Sequence, residues 1–165
     1  MAGAKSGRKG KAFERLVGKV LGEWWQNKSF RRTPISGGWD KDALGDLVVP
    51  AEFPFLVECK KHRNWSLEAV VCNRGLFRQW WGKISREAES VGKSPLLIMC
   101  RDRGQIFAAF LRSWLEGVDQ DSLSLVNHVF IGGVDVGQMI VVLALDEALG
   151  LLSIYKPYRS LASSG

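Results

Sequence analysis

The chain has 165 residues, 46% of them apolar and 24% charged, which is typical of one globular domain with its own core. Three widely spaced cysteines without a CxxC pair argue against a zinc site and a disulfide framework, and favour a reducing cytoplasm. The net charge is +6, with the excess of lysine and arginine in residues 1–93, which indicates a surface that faces a polyanion.

The first predicted element is a helix over residues 7–27, in which apolar residues recur at helical spacing. The predicted buried stripe consists of Phe13, Leu16, Val17, Val20, Leu21 and Trp24. Glu14 lies at the edge of this stripe, so we expect its carboxylate to point along the protein body. The alternative is an ordinary ion pair on the helix surface, for which Lys11 is the partner within one turn.

Three strands are predicted next. Short strands over residues 29–33 and 46–49 flank a loop over 34–44, and a tight turn at 51–54 leads into a strand over 55–61. Alternation in the last strand places Glu58 and Lys60 on one face and Cys59 on the other. The short connection predicts that the strands over 46–49 and 55–61 form a hairpin.

The second half is predicted to continue the sheet. A helix over residues 76–91 precedes paired strands over 94–100 and 105–111, and a helical turn follows at 112–117. Strands over 126–131 and 138–143 and a short helix over 146–151 complete the predicted elements. This order predicts an α/β fold with a mixed sheet. We assign residues 1–9 to a flexible basic N-terminus, 10–154 to one domain and 155–165 to a mobile tail.

The chemistry is predicted at Asp46, Glu58 and Lys60. In the predicted hairpin Asp46 sits beside Glu58, and two carboxylates on a rigid sheet form an oxygen site suited to Mg²⁺, for which Mn²⁺ can substitute. The main-chain carbonyl of Cys59 is a further candidate ligand. Lys60 would lie next to the metal and an attacked phosphate, where it can orient water or stabilise negative charge. The competing interpretation is a same-face ion pair on a solvated strand.

Four segments resemble a known family, the archaeal-type Holliday junction resolvases, which include phage-encoded versions. They are GRKGKAFERLVGKVL, FRRTPISGG, GDLVV and FLVECKK, and together they cover roughly residues 7–100. This family belongs to the PD-(D/E)xK nucleases, so the resemblance implies a restriction-endonuclease-like mixed sheet flanked by helices. The chain departs from the family pattern at two points. It has Gly45 where the superfamily more often has proline, and it has the extra residues WDKDAL before Gly45.

The resemblance implies roles for further residues. Glu14, followed by Arg15, would join the metal cluster, so the implied catalytic set is Glu14, Asp46, Glu58 and Lys60. Gln79 would support the site from the second major helix, with a plain surface amide as the alternative. The candidates for contacts with the DNA backbone are Arg8, Lys9, Lys11, Arg31, Arg32, Ser36, Lys61 and Arg63.

The function predicted from these observations is Mg²⁺-dependent cleavage of branched double-stranded DNA in recombination or repair, in the host cytoplasm if the gene belongs to a phage. The alternatives are a PD-(D/E)xK nuclease of restriction or repair type and a basic DNA-binding protein without catalysis. A homodimer is expected because a four-way junction has near two-fold symmetry, and the apolar stretch 126–145 could pair with a second copy. The longest apolar run, residues 139–145, is far too short to cross a membrane.

Overall fold

The computed structural model describes residues 2–34, 44–126, 128–131 and 139–156. Its α-helices are α1 Ala2–Trp25, α2 Leu67–Val71, α3 Gly75–Ser90, α4 Gln120–Ser124 and α5 Leu145–Leu152. Its strands are β1 Arg31–Arg32, β2 Leu47–Val48, β3 Phe55–Lys61, β4 Ser94–Cys100, β5 Ile106–Leu111, β6 His128–Ile131 and β7 Ile140–Ala144. Short 3-10 helices cover Arg112–Leu115 and Ser153–Tyr155.

The centre of the fold is a five-stranded mixed sheet in the order β3-β4-β5-β7-β6. Strands β3 and β4 run parallel, and the remaining neighbours are antiparallel. Helices α1 and α5 contribute to the core on one face, and α2 and α3 contribute to the core on the other. The structure therefore confirms the predicted restriction-endonuclease-like mixed sheet flanked by helices.

Helix α1 covers the face of β3 that carries Phe55, Val57 and Cys59. Its buried residues recur every fourth position: Phe13, Val17, Leu21 and Trp25. The predicted stripe was wrong at Leu16, which is 46% exposed, because the face that meets the sheet is rotated toward Trp25. The helix also begins at Ala2, so most of the basic segment predicted as flexible is helical.

Strands β1 and β2 pair with each other and not as predicted. They form a separate antiparallel two-stranded sheet in which Arg31 lies opposite Val48. The predicted hairpin of β2 with β3 was therefore wrong, because β2 pairs with β1 and β3 pairs with β4. Asp46, which lies just before β2, contacts β3 instead: its N–H donates a hydrogen bond to the Val57 carbonyl at 2.8 Å.

The other predicted elements differ from the structure mainly at their ends. Strands β3 and β4 have the predicted bounds, and α3, β5, β7 and α5 lie within two residues of theirs. Helices α2 and α4 were not predicted because both are short; each is capped by a side chain, Ser66 and Asp119.

Some predictions fall on residues that the structure does not describe. These are Ser36 with most of the 34–44 loop, residues 127 and 132–138 within and between the strands predicted over 126–131 and 138–143, and the tail beyond Lys156. No helix in the described part of the chain is long and apolar enough to cross a membrane.

Candidate active site

The site is built where Asp46 meets the outer edge of β3. The Asp46 main chain donates to Val57, and its carboxylate accepts a hydrogen bond from the Cys59 N–H at 2.7 Å. Two main-chain groups of β3 therefore fix both the backbone and the side chain of Asp46. This brings Asp46 beside Glu58, as predicted, although a different strand pairing achieves it.

Gly45 explains how the chain makes this approach. Its φ is +72°, and a Cβ built on it would lie 2.8 Å from the Val57 carbonyl oxygen. Proline, which the superfamily more often has here, fixes φ near −65° and could not adopt this conformation. Glycine at position 45, where the superfamily more often has proline, therefore allows the chain to pass close to the main chain of β3.

Glu58 is almost completely removed from solvent, with 1% of its side chain exposed. The Lys60 Nζ lies 2.5 Å from Oε1 of Glu58. The Nζ of Lys83, on α3, lies 3.0 Å from Oε1 and 3.2 Å from Oε2 of the same carboxylate. A buried carboxylate is costly unless it is paired, and here two lysine amines provide the pairing.

The carboxylates are close enough to influence one another. Burial, together with the nearby negative charges of Glu58 and Glu14, raises the pKa of Asp46 from 3.8 to about 6, although the Cys59 N–H and Lys60 act in the opposite direction. Such crowding of like charges around a buried carboxylate favours the binding of a cation.

Glu14 reaches this site from α1, at the edge of the buried face where the sequence placed it. Its Oε2 lies 3.6 Å from Nη1 of Arg32, and 19% of its side chain is exposed. Lys11 was therefore the wrong partner for an ion pair; Arg32 comes from β1, across the fold. Arg32 was predicted to contact DNA, and its pairing brings one guanidinium to the margin of the carboxylate cluster.

Lys83 joins the candidate site although it was not predicted from the sequence. It lies four residues after Gln79, so the two share a face of α3. Gln79 itself is exposed, and the hydrogen bonds from α3 to Glu58 come from Lys83. The signal for Lys83 was its helical spacing from Gln79 on the helix that covers the active strand.

Three of the predicted DNA-contacting residues gather at one end of the sheet. Lys9 forms a 3.0 Å ion pair with Asp102, in the turn between β4 and β5. The hydrogen bond from Lys9, with the charges of Lys61 and Arg63 nearby, lowers the pKa of Asp102. These cations therefore form one basic cluster, which we call the Asp102 cluster, at the end of β3 that carries Lys60.

The remaining predicted contacts are more scattered. Arg8 and Arg31 are exposed, and Lys11 is half-buried. Arg32, which pairs with Glu14, is also half-buried.

The donor set fits a hard divalent cation. Asp46 and Glu58 supply carboxylate oxygens, and the Cys59 main chain runs between them. Burial raises the pKa of the Cys59 thiol, which leaves its main-chain carbonyl as the candidate ligand. Within the described ranges, no three His, Cys, Asp or Glu side chains are already arranged to hold a metal ion. Glu58 is instead engaged by the two lysines.

Comparison with known proteins identifies the family. Residues 5–147 match the family described as "Phage putative PDDEXK endonuclease". The chain belongs to this family. It is also 29% identical to "Protein D14" of Escherichia phage T5 over 155 residues, which covers 86% of this chain and 89% of that protein. No solved structure gives a significant match.

The family match extends further along the chain than the resemblance to the resolvases found in the sequence. That resemblance ended near residue 100, whereas the match continues to residue 147, through β4, β5 and β7. It supports the PD-(D/E)xK superfamily and does not single out the Holliday junction resolvases within it.

Proposed function

We propose that this protein is a divalent-metal-dependent endodeoxyribonuclease whose active site is formed by Glu14, Asp46, Glu58 and Lys60. The observation that carries the proposal is the meeting of Asp46 and buried Glu58 at the edge of β3, with Lys60 on Glu58. Membership of the phage PDDEXK endonuclease family supports it.

Each residue has a role that its position favours. Asp46 and Glu58, with the Cys59 carbonyl, would hold Mg²⁺ or Mn²⁺, and Glu14 would join them from the margin. The bound ion would supply an activated water and neutralise charge on the scissile phosphate. The Lys60 side chain is 28% exposed, and its ammonium would orient that water or stabilise the phosphoryl oxygens. The hydrogen bond from the Cys59 N–H keeps the Asp46 carboxylate in place.

DNA would approach along the basic side of the molecule. The Asp102 cluster lies beyond Lys60 at the end of β3, and Arg31 and Arg32 lie on β1. Surface ion pairs such as Lys9–Asp102 are weak, so Lys9 can exchange its partner for a phosphate at little cost. Ser36, which follows β1 in the sequence, remains a candidate phosphate contact.

The substrate we propose is a branched duplex, in particular a four-way junction cut by two matched active sites. Paired cuts on opposing strands require two copies related by two-fold symmetry. Strand β6 is at the end of the sheet order, opposite β3, and belongs to the apolar stretch that was predicted to pair with a second copy. Recombination or repair of phage DNA in the host cytoplasm would be the setting.

The test compares cleavage of a labelled four-way junction, a linear duplex and a single strand. We expect cleavage with Mg²⁺ or Mn²⁺, none with Ca²⁺, and the junction as the preferred substrate. Glu58→Ala should abolish cleavage and leave DNA affinity similar or higher, because it removes negative charge near phosphate. Glu23→Ala, which removes an exposed carboxylate of α1, is the matched control and should cut normally.

Each alternative has its own result. Cleavage in excess EDTA would refute metal dependence, and wild-type cleavage by Glu58→Ala would refute the assigned strand. Preference for linear duplex, with a strictly monomeric protein by light scattering on a bound junction, would favour a restriction or repair nuclease. Junction binding without any cleavage would favour a DNA-binding protein that lacks catalysis.

A further inference from the structure

Lys83 holds Glu58 more completely than Lys60 does. Its amine lies 3.0 Å from Oε1 and 3.2 Å from Oε2, so it engages both oxygens of the carboxylate. Lys60 contacts Oε1. Because Glu58 is 1% exposed, little of its charge is compensated by water. Lys83 therefore occupies the oxygens that a metal ion would need.

Lys83 also has a second acceptor one turn along α3. Its amine lies 3.4 Å from Oε1 of Glu87. The other oxygen of Glu87, Oε2, is buried and has no hydrogen-bond partner within the described part of the chain. An unpartnered buried carboxylate oxygen is costly, so Glu87 has unused capacity to accept the amine. The Lys83 side chain is 49% exposed, which leaves it room to move between the two.

We propose that Lys83 is a displaceable counter-ion: it holds Glu58 in place before a divalent cation binds, and its amine then moves to Glu87. The inference rests on the proposed function, because it takes Glu58 as a metal ligand. Lys83 is a positioning residue here, since it acts through Glu58. The physical reason is that an ammonium and a divalent cation on one carboxylate repel strongly in a buried site.

The first experiment measures Mn²⁺ binding without DNA, by electron paramagnetic resonance, for wild type and Lys83→Met. The variant removes the competing amine, so we expect the Mn²⁺ dissociation constant to fall about fivefold, the factor that corresponds to about 1 kcal/mol. In EDTA the same variant should unfold at a lower temperature, because Glu58 loses a partner. A fall in stability together with a gain in metal affinity is not expected from a purely structural lysine.

Lys19→Met is the matched control. Lys19 pairs with Glu23 at the same i,i+4 spacing, at 3.8 Å, on an exposed face of α1. The Lys19→Met substitution removes one positive charge and one ion pair within α1, and it leaves the contacts of Glu58 unchanged. We expect Mn²⁺ affinity and the unfolding temperature to stay close to wild type.

A double-mutant cycle tests the role of Glu87. Glu87→Gln keeps Lys83 on Glu58 but removes the second acceptor, so Mn²⁺ should bind several-fold more weakly. In the Lys83→Met background the same change should have little effect, because there is no amine to receive. A weakening that persists in that background would be a general charge effect and would overturn the transfer to Glu87.

The outcomes separate this inference from the proposed function. Absence of Mn²⁺ binding by wild type would overturn the proposed metal site and the exchange at Lys83 with it. Mn²⁺ binding that Glu58→Ala abolishes but Lys83→Met leaves unchanged would overturn the exchange and support the site.

Discussion

Asp46→Asn should make the metal-free protein more stable at alkaline pH while it abolishes cleavage. Burial and the nearby carboxylates raise the pKa of Asp46 from 3.8 to about 6. A change of that size means that ionising Asp46 is about 3 kcal/mol less favourable in the folded protein than in the unfolded chain. Asparagine carries no charge, and its amide oxygen can still accept the hydrogen bond from the Cys59 N–H.

The effect has a definite sign with pH. Because the folded pKa is the higher one, the stability that protonated Asp46 contributes is fully present below pH 3.8 and is lost as the pH rises through about 6. Asp46→Asn avoids this loss. Its advantage over wild type should therefore be about 2 kcal/mol at pH 5 and about 3 kcal/mol at pH 8.

Urea denaturation in EDTA at the two pH values measures this difference. Asp119→Asn is the control with the opposite sign: hydrogen bonds from Ser122 lower the pKa of Asp119, so its contribution is present above the unfolded pKa and lost as the pH falls. That variant should gain nothing at pH 8. An Asp46→Asn protein that is less stable than wild type at pH 8, or whose difference does not change with pH, would refute the reasoning.

Three further predictions concern the backbone, the lysine and DNA binding. Gly45→Ala should lower the free energy of unfolding, measured by urea denaturation, by at least about 2 kcal/mol, because the new Cβ would meet a main-chain carbonyl. Gly75→Ala is the control: Gly75 also has a positive φ but open space around it, so the loss there should be only about 1 kcal/mol. Lys60→Met should abolish cleavage in the junction assay while gel-shift affinity is kept. Arg32→Ala should weaken DNA binding and reduce the slope of log affinity against log salt by about one, unlike Lys19→Ala.

Strand β3 could be predicted from the sequence because its pattern is local. Residues 55–61 begin after Pro54 with an apolar run, and successive side chains of a strand point to opposite faces, so the shared face of Glu58 and Lys60 follows from strand geometry. The edge position of Glu14 followed equally from helical spacing. The family match over residues 5–147 then supports the superfamily to which these residues pointed.

The partners of these residues could not be predicted in the same way. Arg32 pairs with Glu14 across 18 positions of sequence, and Lys83 reaches Glu58 across 25. The two members of each pair lie on different elements, so no local pattern records the contact. The pairing of β2 with β1 was not predicted because the short connection between β2 and β3 favours a hairpin. Instead, the chain at Gly45 passes close to the Val57 carbonyl, and β2 pairs with β1.

The sequence by itself predicted the elements that carry Glu14, Glu58 and Lys60 and the face of each element on which they lie, because helix and strand periods are set by backbone geometry. Only the tertiary structure decided how those elements face one another. It places Asp46 against two main-chain groups of β3, buries Glu58 between two lysines and raises the pKa of Asp46 to about 6. Burial and charge proximity arise when distant segments pack together, and no local pattern encodes them.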